Sequence, residues 1–173
     1  WEARGTGFVP PPDGARNEQY ARSAPMALSA VPPSIDLSSD PWFPAVGDQG
    51  DQGSCSAWAM AYYCYGYQEA KDNGWTDAGT NPAHQISPAW AYNRVSGGED
   101  KGTWMEAVAD VLNDWGAATM ATMPYDETNL WYWGSEEAFR EAPPHRSWEP
   151  VPLAYEGDVT IQNIKALLAE GIP

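Results

Sequence analysis

Basic residues are scarce in this chain: nine Lys and Arg stand against 24 Asp and Glu over 173 residues, and lysine occurs only at Lys71, Lys101 and Lys165. A formal net charge of −15 argues against nucleic acid as a partner, because phosphate binding needs clustered cations. Long apolar runs are also missing, so no stretch is expected to span a membrane. The opening Trp1-Glu2-Ala3-Arg4-Gly5 lacks an initiator Met and the apolar core of a signal peptide. With the acidic, lysine-poor balance this leads us to expect an extracellular or cell-surface protein whose leader lies outside these residues. Cysteine is limited to Cys55 and Cys64. They fall nine residues apart on one predicted helix, about 13 Å at the usual rise. A disulfide tolerates less than about 7 Å between Cα atoms, so the two are not expected to pair. Phenylalanine is rare, at three, but ten Trp and nine Tyr supply apolar surface for a core, and 16 Pro with 16 Gly indicate many turns.

Along the chain, residues 1–30 read as a Pro-rich extension, including Pro10-Pro11-Pro12-Asp13-Gly14. Residues 31–147 read as a mainly helical body. A buried helix is expected from near Ser54 to about Glu69, rich in Ala, Tyr and Met on nearly every face. Ser87-Pro88 opens a shorter helix. Thr103-Trp104-Met105-Glu106 has the form of a capping box ahead of Val108, Val111 and Leu112. Ser135-Glu136-Glu137 starts another helix, stopped by Pro143-Pro144. Trp148 to Tyr155 reads as a strand broken by prolines, and Ile161, Ile164 and Leu168 mark an amphipathic helix ended by Gly171 and Pro173.

The run Gln49-Gly50-Asp51-Gln52-Gly53-Ser54-Cys55-Ser56-Ala57-Trp58-Ala59 carries the chemistry. A glycine turn delivers a thiol to the first position of a helix, where unpartnered amides and the macrodipole favour a thiolate. Gln49, six residues upstream, has a side-chain N–H suited to a developing oxyanion. Cys64, in mid-helix among Tyr and Ala, reads as core.

This stretch resembles the nucleophile segment of papain-like (C1 family) cysteine peptidases, more closely their bacterial and archaeal members. Pro32-Pro33-Ser34-Ile35-Asp36-Leu37 is similar to the start of the mature body, Ile86-Ser87-Pro88 to the start of the second helix, and Met123-Pro124-Tyr125-Asp126 to a tyrosine-proline-tyrosine turn. Gly7-Phe8-Val9-Pro10-Pro11-Pro12 is similar to segments preceding bacterial members. Gly102 and Thr103 resemble the glycine stretch whose backbone pairs with substrate, with Trp104 and Met105 reading equally as pocket wall or as core. The chain departs from the family in having Ser56 directly after the nucleophile, where Trp is usual, and Gln52 where many members have a disulfide cysteine.

The resemblance implies an α+β protein of papain-like fold: a mainly helical left lobe, and from residue 148 to 173 the beginning of a β-rich right lobe. It implies a peptidase acting through a Cys55 thioester, with Gln49 and the Cys55 amide on the oxyanion, and a peptide or protein as substrate. No cofactor or metal is expected. The family's histidine and asparagine fall roughly 130–150 residues after the cysteine, beyond Pro173. His84 and His145 come too early and read as exposed loop residues. The chain is therefore expected to be inactive alone, to need a complementary C-terminal half, and to pair with that half or with another copy through the face at Ile161, Ile164 and Leu168. Two alternatives stay open. One is a non-catalytic papain-like binding module. The other is a Trp-rich carbohydrate-binding module using Leu130-Trp131-Tyr132-Trp133-Gly134, a segment that otherwise reads as packing. Asp72-Asn73-Gly74 and Gly98-Glu99-Asp100 lack calcium-loop spacing and read as turns.

Overall fold

The structure is a computed structural model describing residues 7, 9, 32–147 and 158–173. Helix α1 is continuous from Cys55 in three pieces: Cys55–Ala57 is α-helical, Trp58–Tyr65 is π-helical and Gly66–Asn73 is α-helical again. Small residues let this helix sit in the middle. Ala57, Ala61, Gly66 and Ala70 are buried beside Trp58, Tyr62 and Tyr67, so neighbouring helices approach closely. Gly74 closes it in the left-handed conformation. Helix α2, Pro88–Ser96, begins as expected, with Ser87 accepting from the Trp90 amide and Pro88 in the first turn. Helix α3, Met105–Asp114, buries Val108, Val111 and Leu112, the spacing of one helical face. Helix α4, Glu136–Glu141, is capped by Ser135. Helix α5 covers Asp158–Ala169.

The core is the junction of α1, α2 and α3. Ala57, Ala61, Trp90, Val108 and Leu112 belong to one buried cluster, closed below by Ala117, Met123 and Ala138. Two buried polar side chains are tied to backbone: the Trp90 indole donates to the Gly116 carbonyl at 2.8 Å and Gln85 donates to the Ala78 carbonyl at 2.6 Å. Helix α5 reaches α1 through its C-terminal end, where Lys71 donates to the carbonyls of Glu170 and Gly171 at 3.4 and 3.3 Å.

Four expectations are corrected. The α+β class with the beginning of a β-rich lobe is not found: among the described residues the elements are helical, and besides the backbone bonds of Thr103 to Gly7 and Val9 the pairing outside helices is an isolated antiparallel bridge, Ile86 to Thr119. A sheet needs several residues of ladder on each of several strands, and this bridge stops after one. Within residues 148–173 the described part is helix α5, while the strand expected at Trp148 to Tyr155 lies outside the described residues. The capping box fails too. Trp104 takes the N-cap position of α3 without a side-chain bond, because both backbone groups of Thr103 are engaged elsewhere. Trp131, Tyr132 and Trp133, read as packing, are exposed, Trp131 to 72%. Cys64, read as core, is half-buried, its thiol donating to the Pro173 carbonyl at 3.5 Å. Of the three residues expected on the open face of α5, Ile161 and Ile164 are 52% and 44% exposed, while Leu168 is half-buried.

Candidate active site

Cys55 is the first residue of α1, half-buried, and neither cysteine forms a disulfide. The turn before it is held from two sides. The Asp51 amide donates to Glu127 Oε2 at 2.5 Å and the Gly53 amide donates to Asp100 Oδ1 at 2.8 Å. The Tyr125 hydroxyl lies 2.8 Å from the Gln49 carbonyl, 3.0 Å from Gln52 Oε1 and 2.7 Å from Ser54 Oγ. With one proton, it donates to a carbonyl oxygen while accepting from the Ser54 hydroxyl. Burial pushes this phenol's pKa up, so the proton stays on. Gln49, the expected oxyanion donor, sits inside the same turn with Nε2 donating to the Gln52 carbonyl at 2.9 Å.

The expected substrate segment lies beside this turn. Ser56 is fully buried and its hydroxyl donates to the Thr103 carbonyl at 2.8 Å. That bond gives Ser56 a role in fixing the segment. Trp58, two residues on, packs edge-on against Tyr125 at 4.9 Å between centroids. Thr103 is itself buried, yet its backbone is paired with the N-terminal extension: its amide donates to the Gly7 carbonyl at 2.8 Å, and its carbonyl accepts from the Val9 amide at 3.1 Å. Gly7 has φ +61° and Gly102 φ +72°, and a Cβ at Gly102 would stand 2.0 Å from the Gly7 carbonyl oxygen. The two backbones approach at a distance only glycine allows. Trp104 and Met105 are half-buried where α3 begins. The structure thus brings Cys55, Gln49, Gly102 and Thr103 into one region joined by hydrogen bonds. It adds Asp100, Tyr92, Tyr125 and Glu127, which sequence reasoning passed over. Tyr125 carried a signal, since it stood in the quoted proline-tyrosine turn.

Neither histidine belongs to this region. His145 Nδ1 bonds Glu69 Oε1 at 2.5 Å, and Glu69 also accepts from Tyr65 at 2.8 Å and Asn73 at 2.8 Å. His84 bonds Asp77 and stacks on Trp75, at 4.7 Å between centroids and 9° between planes. Trp75 meets the His145 ring at 5.6 Å. Both rings are therefore half-buried partners of one tryptophan beyond the C-terminal end of α1, not exposed loop residues. Glu69 is 14 positions after Cys55, roughly 20 Å along the helix. Among the described residues no group of three or more His, Cys, Asp or Glu converges as a metal site, and no helix is long and apolar enough to cross a membrane.

No protein-family model matches the chain, and no curated protein matches it by sequence. Among solved structures it is similar to xylellain, a cysteine protease from Xylella fastidiosa, with a TM-score of 0.71 and 21% identity. The likeness covers 99% of this chain and 66% of that one. At that identity it establishes a shared fold.

Proposed function

We propose that this chain carries the nucleophile of a papain-type cysteine peptidase. The observation that carries the reading is that the Gly7 carbonyl and the Val9 amide pair with both backbone groups of Thr103, beside the turn that delivers Cys55. A peptide substrate presents the same groups in the same spacing, and backbone pairing to an exposed edge is a general mode of peptide recognition. Xylellain, whose fold the chain shares, is a cysteine protease, which supports the same reaction class.

In this reading the Cys55 sulfur attacks the scissile carbonyl carbon and forms a thioester as the amine leaves. The amide of Cys55 and the Gln49 side chain, turned from the Gln52 carbonyl, donate to the oxyanion. A histidine from outside these 173 residues takes the thiol proton and returns it to the leaving amine, oriented by an asparagine. His84 and His145 are committed to Asp77 and Glu69, at and beyond the C-terminal end of α1. The second reading is a papain-like module that captures peptides without cleaving them, through the backbone groups of Thr103 that pair with Gly7 and Val9.

The experiment is a comparison of the chain alone with the chain joined to its histidine-bearing segment. A peptidyl chloromethyl ketone should alkylate Cys55 in the joined protein, with hydrolysis of the matching peptide. Alkylation and binding without turnover in the joined protein would select the non-catalytic module, and failure of both would remove the peptidase reading.

A further inference from the structure

We infer that Asp100 is a positioning residue that holds the nucleophile turn and the Gly102-Thr103 segment at a fixed separation, acting through Tyr92; the inference rests on the peptidase reading of this site. Asp100 Oδ1 accepts from the Gly53 amide at 2.8 Å and from the Tyr92 hydroxyl at 2.6 Å. The Tyr92 oxygen in turn accepts from the Gly102 amide at 3.2 Å. A single chain of three hydrogen bonds therefore runs from the residue two before Cys55 to the residue before Thr103. One end fixes where the sulfur is presented, and the other fixes the backbone edge that an extended peptide meets.

The parts of this chain suit the task. Tyr92 is fully buried on α2, beside the core tryptophan Trp90, so its ring is a post that does not swing. Burial first, and then the bond to Asp100, raise its pKa, so it remains a donor. Asp100 is exposed, but its neighbour Lys101 pairs with Glu99 instead. The carboxylate's charge is thus spent on two donors, and bonds to an ionised acceptor are shorter and roughly twice as strong as neutral ones. Tyr92 couples the tie to the core, and Asp100 couples it to the nucleophile turn.

The test uses Tyr92→Phe, Asp100→Ala and Asp100→Asn in the protein joined to its histidine-bearing segment. Inactivation by a peptidyl chloromethyl ketone is resolved into a binding constant and a maximal rate, beside iodoacetamide alkylation of Cys55 and thermal melting. Tyr92→Phe removes two of the three bonds, to Asp100 and from Gly102, but leaves Asp100 on the Gly53 amide, so binding should weaken by roughly 5–150-fold with the maximal rate unchanged. Asp100→Ala frees the Gly53 amide and leaves the Tyr92 hydroxyl without its acceptor, uncoupling the two segments, and should lower binding and rate together. Asp100→Asn retains an oxygen acceptor and should restore most of both. Equal damage from Asn and Ala, or variants that lower the melting temperature while leaving binding and rate intact, would overturn the positioning role. Wild-type protein that reacts with the peptidyl ketone no faster than with iodoacetamide would instead defeat the peptidase reading. The tie is then judged by hydrogen exchange at the Gly53 and Gly102 amides, which Asp100→Ala must accelerate for the tie to stand.

Discussion

Replacing Gly7 by alanine should break the backbone pairing of Gly7 and Val9 with Thr103. The added Cβ would lie 1.9 Å from the Gly53 carbonyl oxygen and 2.6 Å from the Gly53 Cα. Both are backbone atoms of the nucleophile turn, so no side chain can move aside to relieve the contact. The position also has φ +61°, where a Cβ costs roughly 1–2 kcal/mol in its own right. The segment must therefore leave, and the two hydrogen bonds to Thr103 go with it. At about 0.5–1.5 kcal/mol net for each bond, docking is worth about 1–3 kcal/mol, which sets the gain in accessibility at roughly 5–150-fold. The assay is the rate of Cys55 modification by a peptidyl chloromethyl ketone divided by the iodoacetamide rate, a ratio in which intrinsic thiol reactivity cancels. Val9→Pro deletes one donor without placing a Cβ against Gly53, and should give about half the effect on a logarithmic scale. A ratio for Gly7→Ala within twofold of wild type would show that the extension does not compete with peptide, and the substrate role of Thr103 would lose its support.

Cys55→Ala should abolish thiol-dependent turnover in the joined protein while Cys64→Ala leaves it intact, and Gln49→Ala should slow turnover by about 10²–10³-fold with little change in peptide binding; steady-state kinetics separates the two. Tyr125→Phe removes the hydroxyl shared by Gln49, Gln52 and Ser54, and melting should show a loss of about 1–3 kcal/mol from the polar groups left behind. The His145–Glu69 pair should give stability a pH optimum. Glu69 raises the His145 pKa against burial, so that contribution is full below the ordinary histidine value and fades as pH rises through the raised one. Burial would raise the Glu69 pKa, but its bonds to His145, Tyr65 and Asn73 lower it overall, so its contribution is present above the ordinary carboxylate value and is lost as pH falls through the lowered one. Melting temperature should therefore peak in mildly acidic buffer, and His145→Ala should flatten the alkaline side. Light scattering of the chain alone should show self-association through Ile161 and Ile164, relieved by Ile164→Glu.

The helices were legible because each is announced locally. Ser87-Pro88 and Ser135-Glu136-Glu137 are start signals whose hydroxyls do cap, and the alanine-rich run after Cys55 can only be a buried helix. The same local reasoning misplaced Thr103. A Thr three residues before a Glu satisfies the capping pattern, but its backbone was already taken by a segment nearly a hundred positions earlier in the chain. Nothing in the local pattern reports that. Likewise His145 looked exposed because it follows Pro143-Pro144 in a polar stretch, whereas its surroundings are set by Trp75 and Glu69 from another part of the fold.

The candidate site divides along the same line. Its nucleophile is a short-range signal, a thiol after a glycine turn, and was readable. Its support is long-range: Asp100 reaches Gly53 across 47 positions, Tyr125 reaches Gln49 across 76, and Glu127 reaches Asp51 across 76. Each side chain looked ordinary alone, Asp100 as the end of a Gly-Glu-Asp turn. Their common feature is that they bond the backbone of one six-residue turn, and backbone groups carry no sequence mark. Gly53 and Gly102 can be substituted in thought without any sign of what they touch, yet one carboxylate and one phenol join them. The chemistry of such a turn is thus set by one residue, and its geometry by residues that only the fold brings to it.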